Sequence, residues 1–544
     1  MPGFGLDKPI VTKMVNDLDV AHVRQDQFSD FFILPQLDAI YAHCADKLKQ
    51  SVATKLNASS YGPKPPIELE VPKSLRVSAK SASIIGPNYF RPGTVLYPED
   101  RILYHFIAQV AAPVVEAAMD RTRVFSHKPL SIAGAGFEQA ATQWESLKSK
   151  FEKSVKTGKY TIALKSDVAQ YFTSINQHEL VNQLEHQGLS PEMVKFTEKF
   201  LTGLTLDRSS RGLPQGIYGS DLLGNSYLAG IDEFISDQGF VHFRYVDDIY
   251  ILFQTAEDFK SFFPEYVKRL REYDLALNES KTFATAPAKL LREETELDKA
   301  IQAAKEEAAE KLTDYEVTVT ESGPYGDTVE DILELSPDEE EVELEATKAV
   351  FEKLDDFSGE ERHRAESFCL SFFRRANDPI AIPYVAKRWA RNPDRAREYA
   401  LYLNRFAHEK KHAKIIDKMI YSSAETMIDY QWAWAAFVMR RMVSVSSELL
   451  TATFELSKDA SKNEVVRSLL VYPVCAHGSA PRKKHVRDHY STSPLLVQLA
   501  IIHCGSHFTS GERSALMATA QGHGELQAMM CDAFKAEQKA AASA

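Results

Sequence analysis

The run VHFRYVDDIYILF, residues 241–253, sets two adjacent carboxylates inside an otherwise apolar and aromatic stretch. Successive side chains of a strand point to opposite faces, so one continuous strand would carry a carboxylate onto each of two apolar faces. Two short strands joined at Asp247 and Asp248 avoid that and are the simplest solution. The flanking Arg-Tyr-Val and Ile-Tyr-Ile-Leu-Phe do not resemble an ordinary polar loop, which favours a functional role for the pair.

A second acid stands 80 residues before Asp247: TIALKSDVAQYF is β-rich, with Asp167 near the end of its strand-like part. If the strands are neighbours in one sheet, Asp167, Asp247 and Asp248 converge on one patch of like charge. Such a patch is costly without cations, and Mg²⁺ with oxygen ligands is its natural partner, Mn²⁺ being the alternative. Two ions about 3.5 to 4 Å apart activate an attacking hydroxyl and stabilise a leaving pyrophosphate. That is phosphoryl transfer by positioning and charge, without a nucleophilic side chain.

The formal net charge of −12 argues against a nucleic-acid partner only until it is located. Residues 293–345 hold 20 acidic side chains against 3 lysines, so the other 491 residues sum to about +5. The acidity is a local insert, and nucleic acid is not excluded. Five cysteines in 544 residues suit a reducing compartment, and no stretch approaches the eighteen or so unbroken apolar residues of a membrane span. The expectation is a cytoplasmic protein with no membrane partner.

Helical spacing runs through the first 60 or so residues and returns from Pro98 to Met119, where Pro113 is expected to kink or divide the helix. Asn176 and Ser190, the latter followed by Pro191, read as caps of the next two helices. The Ala/Glu/Lys-rich sequence from Leu290 to Lys311 reads as a solvated helix, and Glu330 to Glu345 as an exposed linker. After Phe351 the chain is almost entirely helix-compatible, as an irregular helical repeat or a compact bundle. Nine basic residues between Lys387 and Lys414, mixed with Trp389, Tyr399 and Tyr402, fit either a phosphate-tracking surface or the wet face of ordinary helices. Cys475, His477, His503, Cys504 and His507 lack the close spacing of a zinc site.

Five segments resemble the reverse transcriptases, in the family's order over roughly residues 85 to 285: YFRPGTVLYPEDRILYHFI (89–107), SDVAQYF (166–172), RGLPQGIYGS (211–220), YVDD (245–248) and NESKTF (278–283). The resemblance implies that Asp167 and Asp247 are the principal metal ligands, Asp248 a supporting one, and Val168 a ligand through its backbone carbonyl. Phe172 would block a ribose 2′-hydroxyl, with core packing the plain alternative. Gln215 would line the nascent base pair, or simply stabilise its turn. Arg91 would bind the incoming triphosphate, Lys281 would protonate or neutralise the pyrophosphate, and Tyr245 would pack under the primer end. Arg101 would anchor the fingers helix through an ion pair. Arg244 receives no role.

The resemblance implies an α+β chain, a right-hand polymerase palm and fingers followed by a large all-α, helical-repeat-like C-terminal domain. The expected divisions are 1–84 (helical, fingers-associated), 85–290 (fingers and palm), 291–350 (charged helix and acidic linker) and 351–544 (helical). This layout is similar to the abortive-infection class of antiphage reverse transcriptases. That implies homo-oligomers making DNA from deoxynucleoside triphosphates without a template, with the product attached to a protein hydroxyl. RNA-templated synthesis with an associated noncoding RNA is the alternative, and a nucleic-acid-binding scaffold with an inactive palm is a third reading.

Overall fold

The computed structural model describes residues 4–26, 31–77, 86–130, 136–206, 209–291, 299–304 and 337–543. They group into two compact units, each assembled from separated pieces of chain. The first comprises residues 1–8, 58–65 and 103–369; the second comprises 9–57, 66–102 and 370–544.

Two strands open the chain's sheet structure, β1 (Ile67–Arg76) and β2 (Asn88–Val95), both in the second unit. The first unit is built on an antiparallel sheet of β3 (Ile162–Asp167), β4 (Val241–Tyr245), β5 (Asp248–Phe253) and β6 (Phe283–Thr285), in the order β4-β5-β3-β6. Strands β4 and β5 form the hairpin expected from the acidic doublet, with Val246 and Asp247 at the turn and Asp248 opening β5. Both faces of the sheet are covered, which is why β5 reads as nearly unbroken apolar sequence where a one-sided strand would alternate. On one face Ala163, Phe243, Tyr245, Tyr250 and Leu252 pack with Leu147 and Phe151 of the Ala140–Lys156 helix. On the other, the Phe253 ring lies 5.5 Å from Phe262, and Ser166 shares a buried 2.8 Å hydrogen bond with Tyr266. Both partners belong to the Ala256–Glu272 helix.

Local signals placed several helices. The Asn176 side chain accepts from the amides of His178 and Glu179, and Ser190 Oγ accepts from the Met193 amide, so both are the expected caps. The Pro98–Ala118 helix, by contrast, runs undivided through Pro113, which sits on its exposed side where the ring has room. The acidic run also differs from a linker in its second half, since Pro337–Glu352 is a helix. Val342, Ala346 and Val350 give it a buried stripe. Of the Leu290–Lys311 helix, residues 299–304 are helical, and 292–298 and 305–311 lie outside the described residues.

The second unit joins the β1–β2 hairpin and the N-terminal helices to an all-helical region. The hairpin carries a register shift between Pro72 and Arg76. It is tied to the later helices by Arg76 to the Arg391 carbonyl (2.8 Å), Asn88 to Asp394 (3.1 Å) and Asn463 to the Glu68 carbonyl (2.6 Å). Gln36 donates to Ser468 and accepts from Tyr472, so a buried polar cluster links residues more than 400 positions apart. Trp389, Tyr399 and Tyr402 are buried, each at most 1% exposed, so these rings are core and are not available to stack on bases. Of the neighbouring basic residues Lys387, Arg391, Arg405, Lys410, Lys411 and Lys414 are exposed, whereas Arg395 is buried. Among the described residues no helix is long and apolar enough to cross a membrane.

Arg101 forms a 2.6 Å ion pair with Asp26, both side chains less than a tenth exposed. Removing one partner of such a buried pair leaves the other charge desolvated, so Arg101→Met is expected to destabilise the unit by about 3 kcal/mol. Adding Asp26→Asn should recover part of that loss, as read by denaturant unfolding.

Candidate active site

Asp167 ends β3 and is the direct register partner of Asp248 on β5, while Asp247 occupies the turn just before it. Directly opposed residues of antiparallel strands share a face, so Asp167 and Asp248 project from the same side of the sheet. The three acids that the sequence suggested are thus assembled by one strand pairing and one hairpin. Asp247 feels the consequence. Desolvation, reinforced by the charges of Asp248 and Asp167, pushes its carboxyl from 3.8 up to about 7.

Two lysines moderate this charge. Lys281 Nζ lies 3.2 Å from Asp167 Oδ2, and Lys165 Nζ lies 3.8 Å from Asp248 Oδ1. Burial alone would weaken the Lys281 charge, but its attraction and hydrogen bond to Asp167, with Asp248 and Asp247 nearby, hold its pKa above the ordinary lysine value. Lys281 is delivered by the segment after Asp274, which runs alongside the end of β3. The Asn278 amide donates to the Asp167 carbonyl (2.8 Å), the Ala169 amide to the Ala276 carbonyl (2.8 Å), and Val168 bridges Leu277. Val168 itself is buried.

The donor set suits a hard divalent cation: carboxylates from two strands, one held partly protonated by its neighbours, with ammonium groups resting on the other two. Among the described residues no three His, Cys, Asp or Glu side chains are yet gathered tightly enough to enclose an ion.

Phe172 lies in the single turn Tyr171–Ser174, half-buried. Its backbone carbonyl accepts from the Leu213 amide (2.8 Å) and the Ile175 carbonyl from the Gly212 amide (2.8 Å), which laces the Leu-Pro-Gln-Gly element to the strand-end turn. A Cβ at Gly224 would come within 2.9 Å of the Phe172 ring, so glycine there lets the ring seat closely. Gln215 is half-buried beside Gly216, whose φ of +79° suits glycine. Tyr245 is buried, its ring edge-on to Trp144 and its hydroxyl donating to the Ala140 carbonyl (3.4 Å), and Tyr171 is likewise a core residue. Arg91 stands on β2 in the second unit, opposite Val71, with its guanidinium 4.8 Å from the Phe31 ring centre. In the tail, His503 is shared between Tyr472 and Glu537, and His477 bonds the Met439 carbonyl.

Arg244, given no role from sequence, is fully buried beneath the acidic turn and bonded to Asp232, Asn225 and the Val246 carbonyl. The signal was present: a charge at an inward position of a strand buried on both faces requires partners.

Residues 87–312 match the family model described as reverse transcriptase (RNA-dependent DNA polymerase), so the chain carries a reverse-transcriptase-like domain. No curated protein matches the chain. Among solved structures it is similar to apo telomerase from Candida tropicalis, at 10% identity and a TM-score of 0.31, covering 69% of this chain and 73% of that one. It is similar also to telomerase from Candida albicans in complex with a TWJ fragment of telomeric RNA, at 12% identity and a TM-score of 0.30, covering 75% and 66%. Both likenesses are distant.

The raised carboxyl makes a signed prediction. The folded chain keeps a proton on Asp247 that the unfolded chain gives up near 3.8, so this contribution favours folding at low pH and fades as pH rises from about 4 through about 7. Without divalent cations, thermal unfolding of Asp247→Asn should lack that part of the pH slope and give a higher midpoint at pH 8, and Mg²⁺ should stabilise the wild type more than the variant.

Proposed function

We propose that this chain is a divalent-metal-dependent DNA polymerase that copies RNA, joining deoxynucleoside triphosphates to a primer hydroxyl. The observation that carries the reading is the register pairing of Asp167 with Asp248 beside Asp247, inside a segment similar to RNA-dependent DNA polymerases. Asp167, Asp247 and Asp248 would hold two Mg²⁺ or Mn²⁺ ions, with the Val168 carbonyl as a further oxygen. When bound, such ions lower the pKa of an attacking hydroxyl and neutralise the pyrophosphate. Lys281, held cationic at the edge of the acids, would meet the leaving group once displaced from Asp167. Phe172 would exclude the ribose 2′-hydroxyl, and Gln215 would line the nascent base pair. Tyr245 would support the primer end from beneath the turn.

A second reading is antiphage defence by homo-oligomers that make DNA without a template, attached to a protein hydroxyl. The succession of helices after the palm favours it, since abortive-infection enzymes share that layout.

Incubation of the purified protein with Mg²⁺ and labelled deoxynucleotides, with an RNA template and DNA primer or with no nucleic acid, separates the two. Product complementary to the RNA is expected; label bound to denatured protein without any template would favour the second reading. In either case Asp247→Asn should lower incorporation by at least about a hundredfold, the scale at which lost transition-state charge stabilisation is felt. Unchanged activity in that variant would remove the metal-site assignment. Phe172→Ala should raise ribonucleotide use relative to deoxynucleotide use by about tenfold or more in the same assay, a change of about 1.4 kcal/mol in discrimination.

A further inference from the structure

We infer that Arg244 and Ser126 are positioning residues that clamp the acidic turn from beneath and hold Asp247 in place for catalysis; the inference rests on the polymerase reading above. Val246 has a φ of +55°. A β-branched residue in the left-handed region is strained by roughly 1–3 kcal/mol and persists only where its surroundings impose it. Here both of its peptide groups are held. Its amide donates to Ser126 Oγ (2.8 Å), and its carbonyl accepts from Arg244 Nη1 (3.0 Å).

The guanidinium has no surface exposure, and every N–H direction is used. Nε faces both Asp232 oxygens at 2.9 Å, Nη2 reaches Asp232 Oδ2 at 2.7 Å and the Asn225 carbonyl at 3.2 Å, and Nη1 reaches Asn225 Oδ1 at 2.8 Å as well as Val246. One planar fork therefore ties the Tyr218–Tyr227 helix, the Ala229–Asp237 helix and the hairpin turn together. A lysine ammonium lacks the reach and geometry to do this. Ser126 is held by the backbone of β4 and by Asn225. The chain before it pairs with β4, through Arg244 N to the Arg123 carbonyl (2.8 Å) and Phe125 N to the Arg244 carbonyl (3.0 Å). Asn225 also donates to the Ser126 carbonyl (3.0 Å). The turn is set by this buried frame of protein groups.

The test uses the full chain with Ser126→Ala, Ser126→Thr and Arg244→Lys. Ser126→Ala and Arg244→Lys should each lower deoxynucleotide incorporation and raise the Mg²⁺ concentration for half-maximal rate by about tenfold, the range of one lost buried hydrogen bond. Ser126→Thr, which keeps the hydroxyl, should restore both. Independently of activity, hydrogen exchange at the Val246 amide should quicken about tenfold in Ser126→Ala and not in Ser126→Thr. Wild-type Mg²⁺ dependence together with wild-type exchange at Val246 in Ser126→Ala would overturn the inference. Should Arg244→Lys fail to fold, the Ser126 pair decides. If the wild type incorporates nothing while exchange still responds as stated, the polymerase reading fails and the clamp of the turn stands.

Discussion

Asp167 and Asp248 face each other across the β3–β5 register, and everything around the site answers to that pairing. Like charges directly opposed weaken a sheet, so the strands that carry them must be secured by other means. They are: β3 and β5 are the two central strands, and both faces are packed. Lys165 and Lys281 partly neutralise the acids, and Asp247 answers the same field by holding its proton to about 7. Like charge gathered at one strand end is costly, and divalent cations with oxygen ligands are its natural partners.

The two faces of the sheet have different duties. One is aromatic and aliphatic, with Tyr245 wedged against the helix that carries Trp144 and Phe151. The other, at the β4 end, is polar and buried: Arg244, Asp232 and His242 sit where apolar side chains would pack more cheaply. A desolvated ion pair contributes little to stability against a hydrophobic replacement, so its merit lies in directional bonds. Those bonds reach the turn that precedes Asp247.

Much of the site was legible because its chemistry is concentrated in short runs. YVDD could be read as a hairpin since any other path buries a carboxylate on an apolar face, and the caps at Asn176 and Ser190 announced themselves locally. Other features were not local. Pro113 looked like a break, yet it lies on the exposed side of its helix. Trp389, Tyr399 and Tyr402 looked like partners for bases because basic residues surround them in sequence, but helical geometry turns the rings into the core. The acidic run concealed a helix whose buried apolar stripe includes Val342, Ala346 and Val350.

Taken alone, the order of residues determined which side chains could do chemistry and which short elements carry them, because strand alternation, turn geometry and helix caps act over a few positions. Tertiary structure decided what stands beside what. It set Asp167 opposite Asp248, seated Lys281 on Asp167, buried Arg244 under Val246, and grouped the β1–β2 hairpin with helices hundreds of residues away. Those outcomes depend on packing and on charge compensation between distant segments, and neither has a period or a spacing that the linear chain displays.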